Sequence, residues 1–202
     1  MNWLFDMDKP LMRGLSVIAD LILLNLLTLL CALPVITAGA SFCAAFSVAL
    51  RSVRNEDTVI VKDFFGAFRG NFRKATMLWL MNLLAAVLLA ADWIAAKLFV
   101  PVLIPAIGAM AVMLLVLGLY AFALLARYEN TVWVTLTNAA ALAVGYFPRT
   151  LGMVAFCLAF WVLCVHFLVQ AMPILFLFGF SLPCYVCGLL MNDIFIKLEN
   201  NK

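Results

Sequence analysis

The sequence predicts an all-α fold: a polytopic transmembrane helix bundle of about six spans, with one amphipathic helix at the membrane interface. The first observation behind this prediction is composition, because 68% of the 202 residues are hydrophobic and only 11% are charged. Soluble domains average about 45–50% apolar and ~25% charged residues, so this chain cannot hide its apolar surface in one water-soluble core. The second observation is a single cluster of charge, in residues 51–74, between long apolar segments.

The first two spans are predicted at residues 14–36 and 38–53. The first is apolar apart from Asp20 and is long enough to cross about 30 Å of hydrocarbon, with Pro34 ending the helix. Small side chains repeat at four-residue spacing in the second, which lets helix backbones approach closely inside a bilayer. At ~1.5 Å per residue the second helix is only about 24 Å long, so it is either a short crossing or a helix lying flat. The flat alternative leaves five spans.

The charged cluster predicts an amphipathic helix over residues 58–74. Its aromatic side chains recur on one helical face, whereas its cations lie largely off that face. Such a helix lies in the membrane interface, with its rings at the acyl boundary and its cations near the lipid headgroups. The predicted interfacial anchors are Phe64, Phe65, Phe68 and Phe72. Membrane lipid is therefore the first predicted partner.

Four further spans are predicted at residues 76–98, 102–126, 150–169 and 173–192, with the last two separated at Gln170–Ala171–Met172–Pro173. Six spans put both termini on the side of the polar loops. All but Lys97 of the 13 Lys and Arg residues then face that side, which the positive-inside rule assigns to the cytoplasm. The five-span alternative exports Lys9 and Arg13, which argues against it. The sequence thus predicts a multi-pass protein of the cell membrane with both termini in the cytoplasm.

The sequence contains no motif that predicts an enzyme. HExxH, GxSxG and phosphate-binding glycine loops are missing, so we expect no catalytic residues, no cofactor and no metal. The net charge of +3 gives no argument for nucleic acid. Cys184 and Cys187 form a CxxC inside an apolar run, where a lone pair favours packing over redox or metal chemistry. The single His166 is likewise expected to pack.

Polar residues within or beside the spans are candidates for a functional site, because ionisable groups in a membrane are costly. The hypothesis is that several of them line one polar vestibule that faces the cytoplasm. Its members are Asp20, Asn25, Arg51, Arg149, Asn192 and Asp193. The alternative, which these residue types favour, is that Asp20 pairs with an arginine or caps a helix end and merely holds helices together.

Three segments carry a resemblance to a known family. They are DLILLNLLTLLCALPVITAGAS in the first span, KDFFGAFRGNFRKAT in the charged cluster, and YFPRT at residues 146–150. In order and spacing they make the chain resemble the YesL-like family of bacterial membrane proteins, a domain of unknown function. The resemblance implies a multi-span inner-membrane protein that is suspected of working alongside carbohydrate ABC importers. It implies no catalytic residues. Asn25, Pro34, Thr37 and Gly39 fit the family pattern, as do three of the phenylalanines.

Two hypotheses about function follow from these observations. The first is a non-enzymatic accessory or regulatory protein associated with a solute importer, with ABC permease subunits or further copies of the chain as partners. The second is a small secondary transporter or channel that acts on its own. The first rests on the resemblance and on the helices suited to packing. The second rests on the polar residues inside the spans and on the proline-broken helices.

Overall fold

The computed structural model describes residues 10–54, 56 and 58–200, which form an all-α bundle and confirm the predicted fold class. The α-helices are α1 Pro10–Ala32, α2 Ala38–Val53, α3 Ile60–Phe99, α4 Ile104–Arg127, α5 Val132–Gly145, α6 Phe147–His166, α7 Leu168–Phe178 and α8 Ser181–Asn200. Short 3₁₀ helices at Val35–Thr37 and Pro101–Leu103 precede α2 and α4. Lys9, which the topology prediction uses, lies outside the described residues, as do the side chains of Arg13 and Gln170.

Six segments of this part of the chain are long and apolar enough to cross a membrane. They are Leu15–Ala32, Val35–Val53, Ile60–Phe99, Pro101–Arg127, Phe147–His166 and Ser181–Leu198. The chain therefore has the character of a multi-pass membrane protein. The first five of these segments overlap the predicted spans over most of their length, and the sixth is shifted towards the C-terminus relative to the predicted span 173–192.

The short helix α2 forms the centre of the bundle. It packs against α1, α3, α4 and α8, and most of its residues from Ala38 to Leu50 are buried. The small-residue pattern explains this position, because small side chains allow close approach on several faces at once. Gly39 marks the closest approach, since a Cβ atom there would come within 3.0 Å of Trp79 Cβ and of the Ala75 carbonyl oxygen. The sequence predicted packing against α1, and the structure adds three further neighbours.

Helix α3 is continuous from Ile60 to Phe99. The structure differs here from the prediction of a separate interfacial helix over residues 58–74 followed by a span. The physical reason is that the segment around Lys74–Thr76 contains neither proline nor glycine, so the change from charged to apolar composition does not end the helix. Forty residues at about 1.5 Å each make α3 roughly 60 Å long, about twice the hydrocarbon thickness of a bilayer.

The predicted interfacial anchors divide between the protein interior and the surface. The rings of Phe64, Phe68 and Phe72 follow one another along α3, with successive centroids 6.2 and 5.5 Å apart, which confirms that they share one face. Phe64 is nevertheless fully buried, and Phe68 packs against the core. Phe65 and Phe72 remain exposed. The first part of α3 is therefore anchored to the bundle as well as being amphipathic, because α2 lies along it.

The rest of α3 and the first part of α4 form a two-helix extension, residues 79–115, that we call the α3–α4 arm. Within this range, all of which the structure describes, Ala96 is the only buried residue. The two helices contact each other along the arm. Near the tip of α3, Lys97 Nζ lies 5.9 Å from the centre of the Trp93 ring on the same helix. The arm thus presents apolar side chains to its surroundings on most of its circumference.

The last predicted boundary also differs from the structure. The sequence placed the break between the final spans at Gln170–Pro173, but α7 runs through Pro173 and ends at Phe178. The structure has two breaks in this region, one at Phe167 between α6 and α7, just before the predicted position, and one at Gly179 and Phe180 between α7 and α8. Helix α8 continues past the predicted exit at Asn192. The sequence is apolar for about two turns on either side of the break at Gly179, so hydropathy gives no signal at that position.

Candidate functional site

The structure places the six predicted vestibule residues at four separate positions. Asn25 lies at the α7–α8 break, Asp20 lines a small cavity between α1, α2 and α8, and Arg51 joins the end of α2 to the start of α3. Arg149 pairs with Asp193 between α6 and α8. The described contacts bring Arg149 and Asp193 together but join none of the other members of the group.

Asn25 holds the two sides of the α7–α8 break together. Its Nδ2 donates to the Phe176 carbonyl oxygen at 2.7 Å, and its Oδ1 accepts from the Phe180 and Ser181 amides at 2.8 and 3.1 Å. The side chain is completely buried. An amide suits this place because it offers donors and an acceptor at once, and so satisfies both the carbonyls at the end of one helix and the amides at the start of the next. Asn25 is thus a positioning residue for a discontinuous helix.

Asp20 faces a cavity with room for about one water molecule. The cavity measures about 10 Å³, close to the minimum that holds a water, and Ser52 and Tyr185 contribute polar atoms to its lining. The remaining lining residues are apolar, among them Leu24 and Ile60. A cavity of this size has no room for a sugar or for a passage through the bundle.

Arg51 forms the centre of an ionic network at the α2–α3 connection. It reaches Asp63 at 2.9 Å and Glu56 at 3.2 Å, and Arg54 reaches Glu56 at 3.0 Å. Asp63 also accepts from the Val59 amide at 2.9 Å, so the same carboxylate caps the start of α3. The network fixes the turn between the two helices.

Arg149 and Asp193 form a more exposed pair, 3.3 Å apart, with Asn192 beside it. Next to it, Tyr120 and Thr150 share a buried hydrogen bond of 2.9 Å, and Thr150 also donates to the Ala143 carbonyl at 3.0 Å. In the sequence, Thr150 stood out only as the last residue of the YFPRT segment that carries the resemblance. Its contacts show that it ties α4, α5 and α6 together.

Cys187 of the CxxC motif lies next to a cysteine of another helix. Cys187 lies 3.7 Å from Cys157 of α6, sulfur to sulfur, and all three thiols, including that of Cys184, are free and buried. Among the described residues, no group of three or more His, Cys, Asp or Glu is arranged to hold a metal ion. His166 is exposed, and its ring packs on Phe167 with centroids 4.9 Å apart.

Sequence analysis missed a groove on one face of α3, at the base of the α3–α4 arm. It is a shallow, open depression of about 410 Å³ along this one helix, lined by Arg73, Thr76, Met77, Leu80, Met81 and Leu84. Its polar residues lie at one end and its apolar residues at the other. The helical spacing of these six positions was visible in the sequence, but the prediction followed the phenylalanine period, which ends at Phe72, one turn before Thr76.

Comparison with known proteins adds a family match over part of the chain. Residues 21–93, from α1 to the arm, match the family described as "Protein of unknown function, DUF624". No curated protein and no solved structure matches the chain significantly. The matched stretch contains Asn25, the whole of α2, the ionic network and the groove on α3, so it is in these parts that the chain is similar to that family.

Proposed function

We propose that this protein is a non-enzymatic accessory or regulatory protein of the bacterial inner membrane that associates with an ABC importer for a solute of the carbohydrate class. The importer and the solute class rest on the resemblance to the YesL-like family. The similarity of residues 21–93 to a family of unknown function is compatible with this proposal and names no activity.

The observation that carries the proposal is the α3–α4 arm. In a helix bundle, apolar side chains meet either lipid or other helices, and a pair of helices whose side chains are mostly exposed is suited to meeting both. The small-residue helix α2, by contrast, is already surrounded by this protein's own helices. The arm is therefore the surface that is available to bind the membrane-spanning helices of a permease.

A second candidate function, a small transporter or channel, is favoured by the α7–α8 break. Discontinuous helices whose ends point into the bundle line the substrate and ion sites of many transporters. The buried hydroxyl of Ser181, at the start of α8, has no hydrogen-bond partner among the described residues. Against this candidate, the cavity beside Asp20 admits about one water and no solute.

The proposal is tested by site-specific photocrosslinking in intact cells. A photoactivatable residue at Leu88, which is 58% exposed on the arm, is expected to crosslink to a permease subunit of an ABC importer. The matched control is Val162 on α6, which is 64% exposed and equally apolar. Equal crosslinking at both positions, or crosslinks to lipid alone, would contradict docking through the arm.

A further inference from the structure

The groove on α3 has the layout of an amphiphile's binding site. At one end lie Arg73, which is exposed, and Thr76, whose hydroxyl oxygen is buried and has no hydrogen-bond partner among the described residues. Towards the arm the lining becomes entirely apolar, through Met77 and Leu80 to Leu84. A ligand that fills the whole groove needs an anionic or hydrogen-bonding head and a hydrocarbon tail. A free anion would contact only the polar end of the groove, and a plain hydrocarbon only the apolar end.

We propose that this groove binds one anionic phospholipid, with its phosphate at Arg73 and Thr76 and one acyl chain along Met77 to Leu84. An arginine binds phosphate through charge-assisted hydrogen bonds, and a threonine hydroxyl adds one further donor after rotation about its Cα–Cβ bond. That rotation gives the buried hydroxyl the partner that it lacks in the bundle. The ligand thereby satisfies a polar group that the protein itself leaves unsatisfied.

Charge complementarity selects an anionic lipid rather than a zwitterionic one. Arg69 lies one helical turn before Arg73 and is exposed like it, and Lys74 is the next residue. The acidic residue of this stretch, Asp63, is occupied by Arg51 at 2.9 Å and so does not neutralise these cations. Each exposed cation near a membrane surface attracts anionic lipid by about 1 kcal/mol.

The dimensions of the groove match one leaflet. From Arg73 to Leu84 the helix rises by about 16 Å, close to half of the ~30 Å hydrocarbon core. Residues 75–91 carry no charge, so Arg73 and Lys74 are the last cations before a long apolar stretch. They therefore lie where composition places the headgroup level, and the apolar end of the groove lies where acyl chains are found.

The test is a lipid titration of the purified full-length chain in mild detergent. Phosphatidylglycerol and phosphatidylcholine with the same acyl chains are titrated separately, and the lipid-bound fraction is measured by native mass spectrometry. Phosphatidylglycerol is expected to bind at least about fivefold more tightly, the factor that one cation contributes at a membrane surface. The substitution R73Q should remove most of this preference. T76V, which keeps the shape of the side chain, should reduce it while leaving the protein folded.

The matched control is K62Q, which removes an exposed cation three helical turns away from the groove. It should change the ratio of the two affinities by less than about twofold. Equal losses in K62Q and R73Q would overturn the site, since they would show diffuse attraction to the whole cationic surface. Competition by soluble glycerophosphate would also overturn it, because a head without acyl chains would then account for binding. Equal affinity for phosphatidylglycerol and phosphatidylcholine would also overturn the site.

Discussion

Gly39 allows α2 to approach α3 closely at Ala75 and Trp79. Any side chain there meets Trp79 Cβ and the Ala75 backbone, and neither atom can turn aside as the end of a flexible side chain would. We expect G39A to destabilise the protein by roughly 1–3 kcal/mol, the usual cost of overpacking. Thermal unfolding in mild detergent, followed by circular dichroism, measures the change.

The matched control for this substitution is G66A on α3. A Cβ atom at Gly66 meets nothing within 4 Å, and the residue lies inside a helix where alanine is favoured by about 1 kcal/mol over glycine. G66A should therefore leave the unfolding temperature unchanged or raise it. An equal loss of stability in both variants would contradict the packing described for α2 and α3.

Asn25 is the second residue on which the structure depends strongly. In N25L the Phe180 and Ser181 amides and the Phe176 carbonyl lose their partner inside the bundle, at a cost of about 1–3 kcal/mol for each group left unsatisfied. We expect faster hydrogen exchange at Phe180 and Ser181 and a lower unfolding temperature. N82L is the comparison, because the side chain of Asn82 donates to the Leu78 carbonyl of its own helix and to no other group among the described residues. Similar effects of the two substitutions would show that Asn25 has no special role at the break.

At the scale of elements, the α2–α3 connection depends on one carboxylate with two tasks. Asp63 binds Arg51 and caps the start of α3, and its side chain is only 17% exposed. We expect D63A to lower the free energy of unfolding by about 1–2 kcal/mol, combining a lost cap with a screened ion pair. D193A, whose side chain is 63% exposed, should cost less than about 0.5 kcal/mol.

Chemical denaturation in mild detergent distinguishes these two variants. The loss of unfolding free energy in D63A should approach that in D193A as salt is added. Salt screens the contribution of the Asp63–Arg51 ion pair but not that of the helix cap. A larger effect for D193A than for D63A would contradict the assignment of the structural role to the α2–α3 network.

The elements could be predicted from the sequence only where composition and backbone change together. Pro34 ends α1 and small residues mark α2, and both are found as predicted. At Lys74 the composition changes while the backbone continues, so α3 was divided in the prediction. At Gly179 the backbone breaks while the composition continues. A glycine after the end of a helix, with Ser181 and Pro183 following, was the available signal for that break.

The candidate site was less predictable than the elements, because it depends on contacts between distant segments. Asn25 was selected as a polar residue within a span and assigned to a vestibule, but the structure buries it against partners that lie more than 150 positions away in the chain. The groove at Arg73 and Thr76 depends on which face of α3 the bundle covers. The phenylalanine period did not show this, since Phe64 is buried in the bundle while Phe72, one turn before Thr76, is exposed.

At the scale of the whole molecule, α3 connects two environments. Its first part carries the cations and packs on α2, and its last part belongs to the apolar arm. We predict that Lys62 faces the cytoplasm and Lys97 the opposite side, as the positive-inside rule requires. In intact cells a membrane-impermeant maleimide should label K97C and not K62C. The native cysteines give little background, since all except the half-buried Cys31 are buried. Labelling of K62C alone would reverse the topology.

The proposed function is most directly tested by recovering the protein from crosslinked cells and counting what accompanies it. The chromosomal copy is tagged, crosslinked in intact cells, extracted in mild detergent and identified with its partners by mass spectrometry. We predict stoichiometric recovery with the permease subunits of an ABC importer, and loss of that recovery when charged residues replace Val87 and Leu88, which are exposed on the arm outside the groove. Recovery of the chain alone, together with solute uptake by proteoliposomes that contain only this protein, would contradict the accessory role and favour a transporter.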